Sequence, residues 1–312
     1  MPITCSGFRF TISPKDHLRL PPYKGSTFRG GFGHAFKRVV CVNRNKECKS
    51  CILKDKCVYA YIFETEPPKD AAVKRKYASA PHPFVLCPPL DTKTHYTPEE
   101  SLTFDLTLIG RAIEYFPYFV YTFDELGRMG IGKGRGKFVL DRVEESTPRA
   151  EKRLIYHGDD KVLNQPSPPV SGRSFPDAPL SATQLTLIFL TPLRIKVKGD
   201  LVVDLGFQLF FERLLDRIKV LSYFHCNGHG QDDSDDLLKK AAGVKVAKKS
   251  LRWHDWERYS KRQDTRMKLG GLLGTITFQG DLGEFMPYLK VGEYVHVGQG
   301  TSFGLGGYEV VT

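Results

Sequence analysis

The chain has 312 residues, enough for two domains of ordinary size, and with 41% hydrophobic and 26% charged residues each can bury a core. Disorder throughout is excluded, no run approaches the roughly 18 consecutive apolar residues of a membrane span, and no secretory leader is present, so the chain reads as soluble and cytoplasmic. Its 46 Lys and Arg against 35 Asp and Glu leave +11, which points to a polyanionic partner, nucleic acid ahead of membrane.

Residues 8–25 read as a strand, a loop and the pair Lys24-Gly25 ahead of a helix over 26–40, capped by Ser26 or Thr27. At helical spacing Phe28, Phe32, Ala35, Phe36 and Val39 form one apolar face. His34, Lys37 and Arg38 fall together on the opposite side, which Thr27, Gly30 and Gly31 share. Gly30, Gly31 and Gly33 cost this helix roughly 1 kcal/mol each relative to alanine, which points to something that approaches closely. Directly afterwards come Cys41, Cys48, Cys51 and Cys57, in a segment too polar for a core. A Cys-x2-Cys knuckle with two flanking thiols suits structural zinc, with Arg44, Lys46, Lys49, Lys54 and Lys56 to offset the thiolate charge; an iron–sulfur cluster is the alternative.

Residues 106–140 read as strand, short helix, glycine-rich loop and closing strand. The loop, with Lys133 and Arg135 among its glycines, lies one residue from a P-loop pattern but follows a helix and enters a strand, so it is read as backbone open to an RNA phosphate and not as an ATP site. A proline-rich stretch over 166–180 reads as a linker. Beyond it, 185–199 repeats the strand-loop-Lys-Gly opening before a helix over 204–224 that ends near His225. Asp232, Asp233, Asp235 and Asp236 read as a solvated connection.

Residues 239–268 carry 11 basic and 3 acidic side chains, with Trp253, Trp256 and Tyr259 interleaved among them. Aromatic planes beside guanidinium groups stack bases and clamp phosphates, so this segment reads as a grip on RNA or single-stranded DNA, through Trp253, Arg258, Tyr259 and Arg262, with His254 beside them.

The closing region repeats an earlier one. Shifted by 170 residues, LTLIGRAIEYFPYF falls without a gap on ITFQGDLGEFMPYL, and Gly130, Gly134, Gly136 and Phe138 fall on Gly300, Gly304, Gly306 and Tyr308. The second glycine loop, with Gly298, Gly300, Gly304 and Gly306, is therefore read like the first as an RNA contact. The fold expected is α+β, two tandem ferredoxin-like βαββαβ domains over 1–165 and 181–312, with the cysteine-rich insertion after the first helix.

Duplicated halves, a closing GxGxxxGxG loop, a GxxGHAF helix leading into cysteines, and the segment WHDWERYSKRQ together resemble the CRISPR-associated endoribonucleases of the RAMP superfamily that process precursor CRISPR RNA. The resemblance implies metal-independent cleavage in which a histidine on or near the first helix takes part. His34 stands at that place, with Tyr23 and Lys37 the nearest counterparts of a tyrosine and a lysine that some members add. Arg29 and Arg38, on the same helix, join the expected RNA contacts. The competing expectation is a non-catalytic RNA-binding subunit of a larger CRISPR ribonucleoprotein.

Overall fold

The computed structural model describes residues 3–43, 47–67, 80–146, 152–171, 182–228, 235–255, 257–260 and 265–312, with backbone alone for 257–260 and 265–268. The N-terminal elements are β1 (Thr4–Pro14), β2 (Leu18–Arg19), α1 (Gly25–Val40), α2 (Val58–Phe63), β3 (Phe84–Cys87), β4 (His95–Tyr96), β5 (Leu102–Ile109), α3 (Phe116–Met129), β6 (Phe138–Glu145), β7 (Leu154–His157) and β8 (Val170–Ser171). The C-terminal ones are β9 (Gln184–Leu193), β10 (Lys196–Val197), β11 (Asp200–Leu201), α4 (Phe207–His225), α5 (Asp235–Ala241), β12 (Lys245–His254), β13 (Glu257–Ser260), β14 (Thr265–Lys268), β15 (Gly271–Gln279), α6 (Met286–Val295) and β16 (Tyr308–Val311).

Among the described residues, strands pair in the order β3-β5-β1-β6-β7 in the first sheet and β12-β15-β9-β16 in the second. The long strands and helices of each half follow βαββαβ, and in both the first strand lies between the third and the fourth. The duplication is visible atom by atom: β6 and β16 begin at Phe138 and Tyr308, Gly130 and Gly300 take φ of 79° and 77°, and Gly134 and Gly304 take 84° and 87°. Strand β5 alternates buried and less buried side chains because one face of its sheet packs on helices. That core is aromatic, with Phe32 of α1 stacked on Phe119 and Phe123 of α3 at 5.0 and 4.9 Å.

Two features depart from the expected partition. Val170 and Ser171, inside the proline-rich stretch, pair with Cys5 and Thr4 of β1, while 172–180 lie outside the described residues. Ile3, Cys5 and Ile109 are buried in the core of the C-terminal half. The halves also meet at His225, the last residue of α4, whose Nε2 bonds to the Pro81 carbonyl at 2.8 Å and whose Nδ1 bonds to the Tyr61 hydroxyl at 3.2 Å. Burial pushes this imidazole down to about 4, so it sits neutral in the seam.

The second glycine loop is buried over most of 301–307, with Gln299 exposed at its start, so Gly304 and Gly306 are packed and do not form the open RNA-facing backbone expected of them. A Cβ at Gly304 would meet Pro88 at 2.7 Å, one at Gly300 would meet Leu305 at 2.9 Å, and Gly298 and Gly306 lie against the carbonyls of Arg194 and Val297. Gly134 in the first loop has nothing within 4 Å of its Cβ direction. Gly306→Ala, combining a backbone clash with φ of +71°, is expected to cost roughly 2–3 kcal/mol, and Gly134→Ala only the roughly 1–2 kcal/mol of left-handed backbone. Urea unfolding of the two variants reads this difference.

Candidate functional site

The site is built on α1, and its start differs from the one expected. The helix begins at Gly25 with Lys24 as N-cap, whose carbonyl accepts from the Phe28 N–H at 2.9 Å, and neither Ser26 nor Thr27 supplies a side-chain cap. The reason is that Lys24 is anchored from the other side. Fully buried, its ammonium donates to the carbonyl and to Oδ1 of Asp91 at 2.6 and 3.2 Å, with the Tyr96 ring 5.7 Å away. Burial lowers the affinity of this lysine for its proton while Asp91 pulls the other way.

Next to it, Tyr23 donates its hydroxyl to the Phe303 carbonyl at 2.7 Å. Burial raises this phenol well above its ordinary range. Tyr23 is thus a strut between α1 and the second glycine loop. Arg29 is likewise turned inward. Its guanidinium lies 5.0 Å from the Phe63 ring and 5.2 Å from the Phe303 ring, and it bonds to His82 Nε2 at 2.8 Å. Burial, and then the Arg29 charge, push His82 down to about 4. Arg29 thereby joins the N-terminal half to Phe303 of the C-terminal half.

The glycines of α1 do three different things. Gly31 lets Leu126 of α3 come within 3.3 Å of its Cβ position, Gly33 admits Phe63 of α2 at 3.3 Å, and Gly30 faces open space. Helix α1 therefore lies between α3 on one side and α2 on the other, with Gly30, His34 and Arg38 exposed along its outer ridge at four-residue spacing. Lys37 leans away from His34, its ammonium 5.5 Å from the Tyr59 ring of α2, so Arg38 is the cation that shares the ridge with His34.

At the Gly31 end of the ridge stands the first glycine loop, 130–137, since Ile131 also lies against Gly31. This loop is laced to the β1–β2 turn by Lys133 N–H to Arg19 O at 2.9 Å and Lys15 N–H to Lys137 O at 2.8 Å. The lacing gathers Lys15, His17, Arg19, Lys133, Arg135 and Lys137, all exposed, around Gly134. Asp16 in their midst accepts from the Lys137 N–H at 3.0 Å. Lys15, Arg19 and Lys137 escaped the sequence reading because only the tertiary hydrogen bonds bring positions 15–19 beside 133–137; the alternating Lys and Gly of GKGRGK was the available signal for the last.

The other expected groups lie elsewhere. Cys41, Cys48, Cys51 and Cys57 are half-buried, free thiols beyond the end of α1. Burial raises the Cys48 thiol, with Lys37 opposing and Glu64, Cys41 and Cys57 adding to it, so three of the four thiols are electrostatic neighbours. Among the described residues, no group of three or more metal-ligating side chains is assembled. In the basic–aromatic segment, β12 is an edge strand exposed along nearly its whole length, carrying Lys245, Lys248, Lys249, Arg252 and a Trp253 that is 37% exposed. Arg258 and Tyr259 lie on β13, described as backbone alone; Trp256 and Arg262 lie outside the described residues.

Comparison with known proteins follows the same division. Residues 3–168, just over half of the chain, match the AF_1859_N family model, described as an N-terminal domain, and residues 187–308 match the model of the CRISPR-associated endoribonuclease Cas6. The C-terminal half of the chain thus carries the match to the CRISPR-associated endoribonuclease Cas6 family. An uncharacterized protein of Archaeoglobus fulgidus is 24% identical over 301 residues, covering 95% of this chain and 94% of its own. A product complex of Cas6 (TTHB231), a Thermus thermophilus protein, has a similar fold at a TM-score of 0.59 and 18% identity, with 99% of both chains covered. A partial Cas6-RT-Cas1–Cas2 complex superposes at a TM-score of 0.62 and 12% identity, over 99% of this chain and 46% of that one. No helix among the described residues is long and apolar enough to cross a membrane.

Tyr23→Phe tests the strut. A strut loses one buried hydrogen bond, so the variant is expected to lose about 1–2 kcal/mol in urea unfolding. Its RNA cleavage under stabilising conditions is expected to stay near that of the parent; a collapse of cleavage with unchanged stability would return Tyr23 to the chemistry.

Proposed function

We propose that this protein binds the repeat of a precursor CRISPR RNA and cuts it without a metal ion, the 2′-hydroxyl upstream of the scissile bond attacking its own phosphate in line to leave a 2′,3′-cyclic phosphate and a 5′-hydroxyl. The observation that carries the reading is the exposed His34 on a ridge cleared by Gly30, with Arg38 one turn away and the basic loop 130–137 beside it. An imidazole with a reference pKa near 6.5 takes the 2′-hydroxyl proton or gives one to the leaving 5′-oxygen. Arg38 would stabilise the charge on the pentacoordinate phosphate. The exposed cations of loop 130–137 and of β12 would hold the RNA backbone. Lys37, drawn toward Tyr59, is left out of the chemistry.

His34→Ala is expected to bind repeat RNA normally and to lose at least about 100-fold in single-turnover cleavage, and parent cleavage is expected to survive EDTA. Parent-like cutting by the variant removes His34 from the mechanism, and strict magnesium dependence removes the mechanism itself. The likeness to a Cas6 unit within a larger assembly favours a second reading, a non-catalytic RNA-binding subunit, for which purified protein would hold the repeat uncut.

Four thiols from one short polar segment suit zinc in kind, and Cys48 beside Cys41 and Cys57 supports the fit. The metal would staple the loop that follows α1 and take no part in cleavage. Protein purified without chelator is expected to carry close to one zinc per chain by elemental analysis, and Cys48→Ser with Cys51→Ser to abolish it; metal-free protein that folds and cuts would refute the site.

A further inference from the structure

The groove between α1 and α3 has a second wall that the proposed chemistry does not use. The two helices run antiparallel. Gly31 meets Leu126, Phe32 meets Phe123 at 4.9 Å, and Phe36 meets Phe119 at 5.4 Å, so positions rise on α1 as they fall on α3. The same register sets His34 level with Thr122 and Arg38 level with Tyr118. Thr122 is buried in the floor, whereas Tyr118 is 44% exposed on the wall.

The Tyr118 ring is held from beneath. Tyr115 packs edge-on against it at 6.2 Å, Tyr61 lies 5.7 Å beyond Tyr115, and the Arg111 guanidinium caps Tyr61 at 4.0 Å. The duplicated half supplies a control within the same chain. Tyr288, the residue 170 positions on, packs edge-on at 5.6 Å against Phe211 of α4 and is half-buried. Where the C-terminal half half-buries this tyrosine against α4, the N-terminal half leaves it 44% exposed at the level of Arg38. At the far end of the groove Arg128 pairs with Asp124 and Glu125 at 2.7 and 2.5 Å and Lys161 with Asp124 at 3.5 Å, so two cations offset the two carboxylates there.

Resting on the cleavage reading above, we infer that Tyr118 is a stacking platform for an unpaired base of the RNA next to the scissile phosphate. An immobilised aromatic ring in solvent, about one helical turn of 5.4 Å along the groove from the level of His34 and level with Arg38, is the arrangement with which proteins splay out and stack single-stranded bases. Stacking there fixes the nucleotide beside the attacked phosphate, so Tyr118 acts by positioning and exchanges no proton.

The test uses full-length protein and the repeat RNA of its own genome, with 2′-deoxyribose at the scissile position to block cutting and 2-aminopurine walked through the flanking nucleotides. One position is expected to lose fluorescence on binding the parent, Tyr118→Phe and His34→Ala. Tyr118→Ala is expected to lose that quench and to bind roughly tenfold to a hundredfold more weakly. Tyr121→Ala, 53% exposed but turned a further 60° from α1, is expected to behave as the parent. An abasic nucleotide at the responsive position is expected to bring parent and Tyr118→Ala to the same affinity. A repeat that the parent cuts, with no position whose quench depends on Tyr118, overturns this inference and leaves the proposed function standing. A repeat bound but uncut overturns the enzymatic reading and leaves the quench to decide the platform. A chain that binds no repeat overturns both.

Discussion

The N-terminus of α1 is held by residues that come from the far half of the chain, and the position of the candidate site depends on that hold. Tyr23 reaches the Phe303 carbonyl, Phe303 lies over Arg29, and Gly304 presses on the end of β3. Gly25 lies so close to the Phe303 carbonyl that a side chain there would collide with it. Lys24, on the opposite side, is pinned to Asp91. A helix fixed at its first turn and packed along its length between α2 and α3 has little freedom to roll. Its outer ridge, where His34 stands, is therefore a rigid feature of the fold and not a consequence of substrate binding.

The same duplicated motif serves two purposes. In the C-terminal half the loop around Gly304 is buried and joins the halves, while in the N-terminal half its counterpart around Gly134 stands in solvent with lysines and arginines about it. Equivalent glycines with nearly equal φ show that the backbone demand is common to both. What differs is the surroundings: Lys133 and Arg135 decorate the open copy, and Ser302 and Phe303 fill the closed one.

Much of this was legible in the residues. The 170-residue offset foresees the equivalence of β5–α3–β6 with β15–α6–β16, because turn glycines and a helix-opening proline sit at fixed places whatever packs around them. The apolar stripe of α1 foresees Phe28, Phe32, Ala35 and Phe36 in the core and His34 outside, since helical periodicity alone decides which side is buried. What the chain could not disclose was tertiary. Tyr23 carries the residue type of a catalytic group, and Arg29 and the second glycine loop those of an RNA contact, and only the docking of the two halves packs Tyr23 and Arg29 against Phe303. Nor could spacing show that Lys37 leans to Tyr59, or that Lys15 and Arg19 join loop 130–137, because those partners are set by packing.

The Tyr23–Phe303 hydrogen bond spans 280 positions of sequence. Contacts of such long range form late, because the entropy of closing the intervening chain is lost before they contribute anything. A nascent chain emerging from the ribosome would carry its first sheet and α1 well before residues 300–307 exist to grip that helix. The ridge bearing His34 would then become rigid only once the second sheet has closed. In a half-made molecule the basic loop and the ridge would both be present, but the ridge would lack the hold of the far half on its first turn.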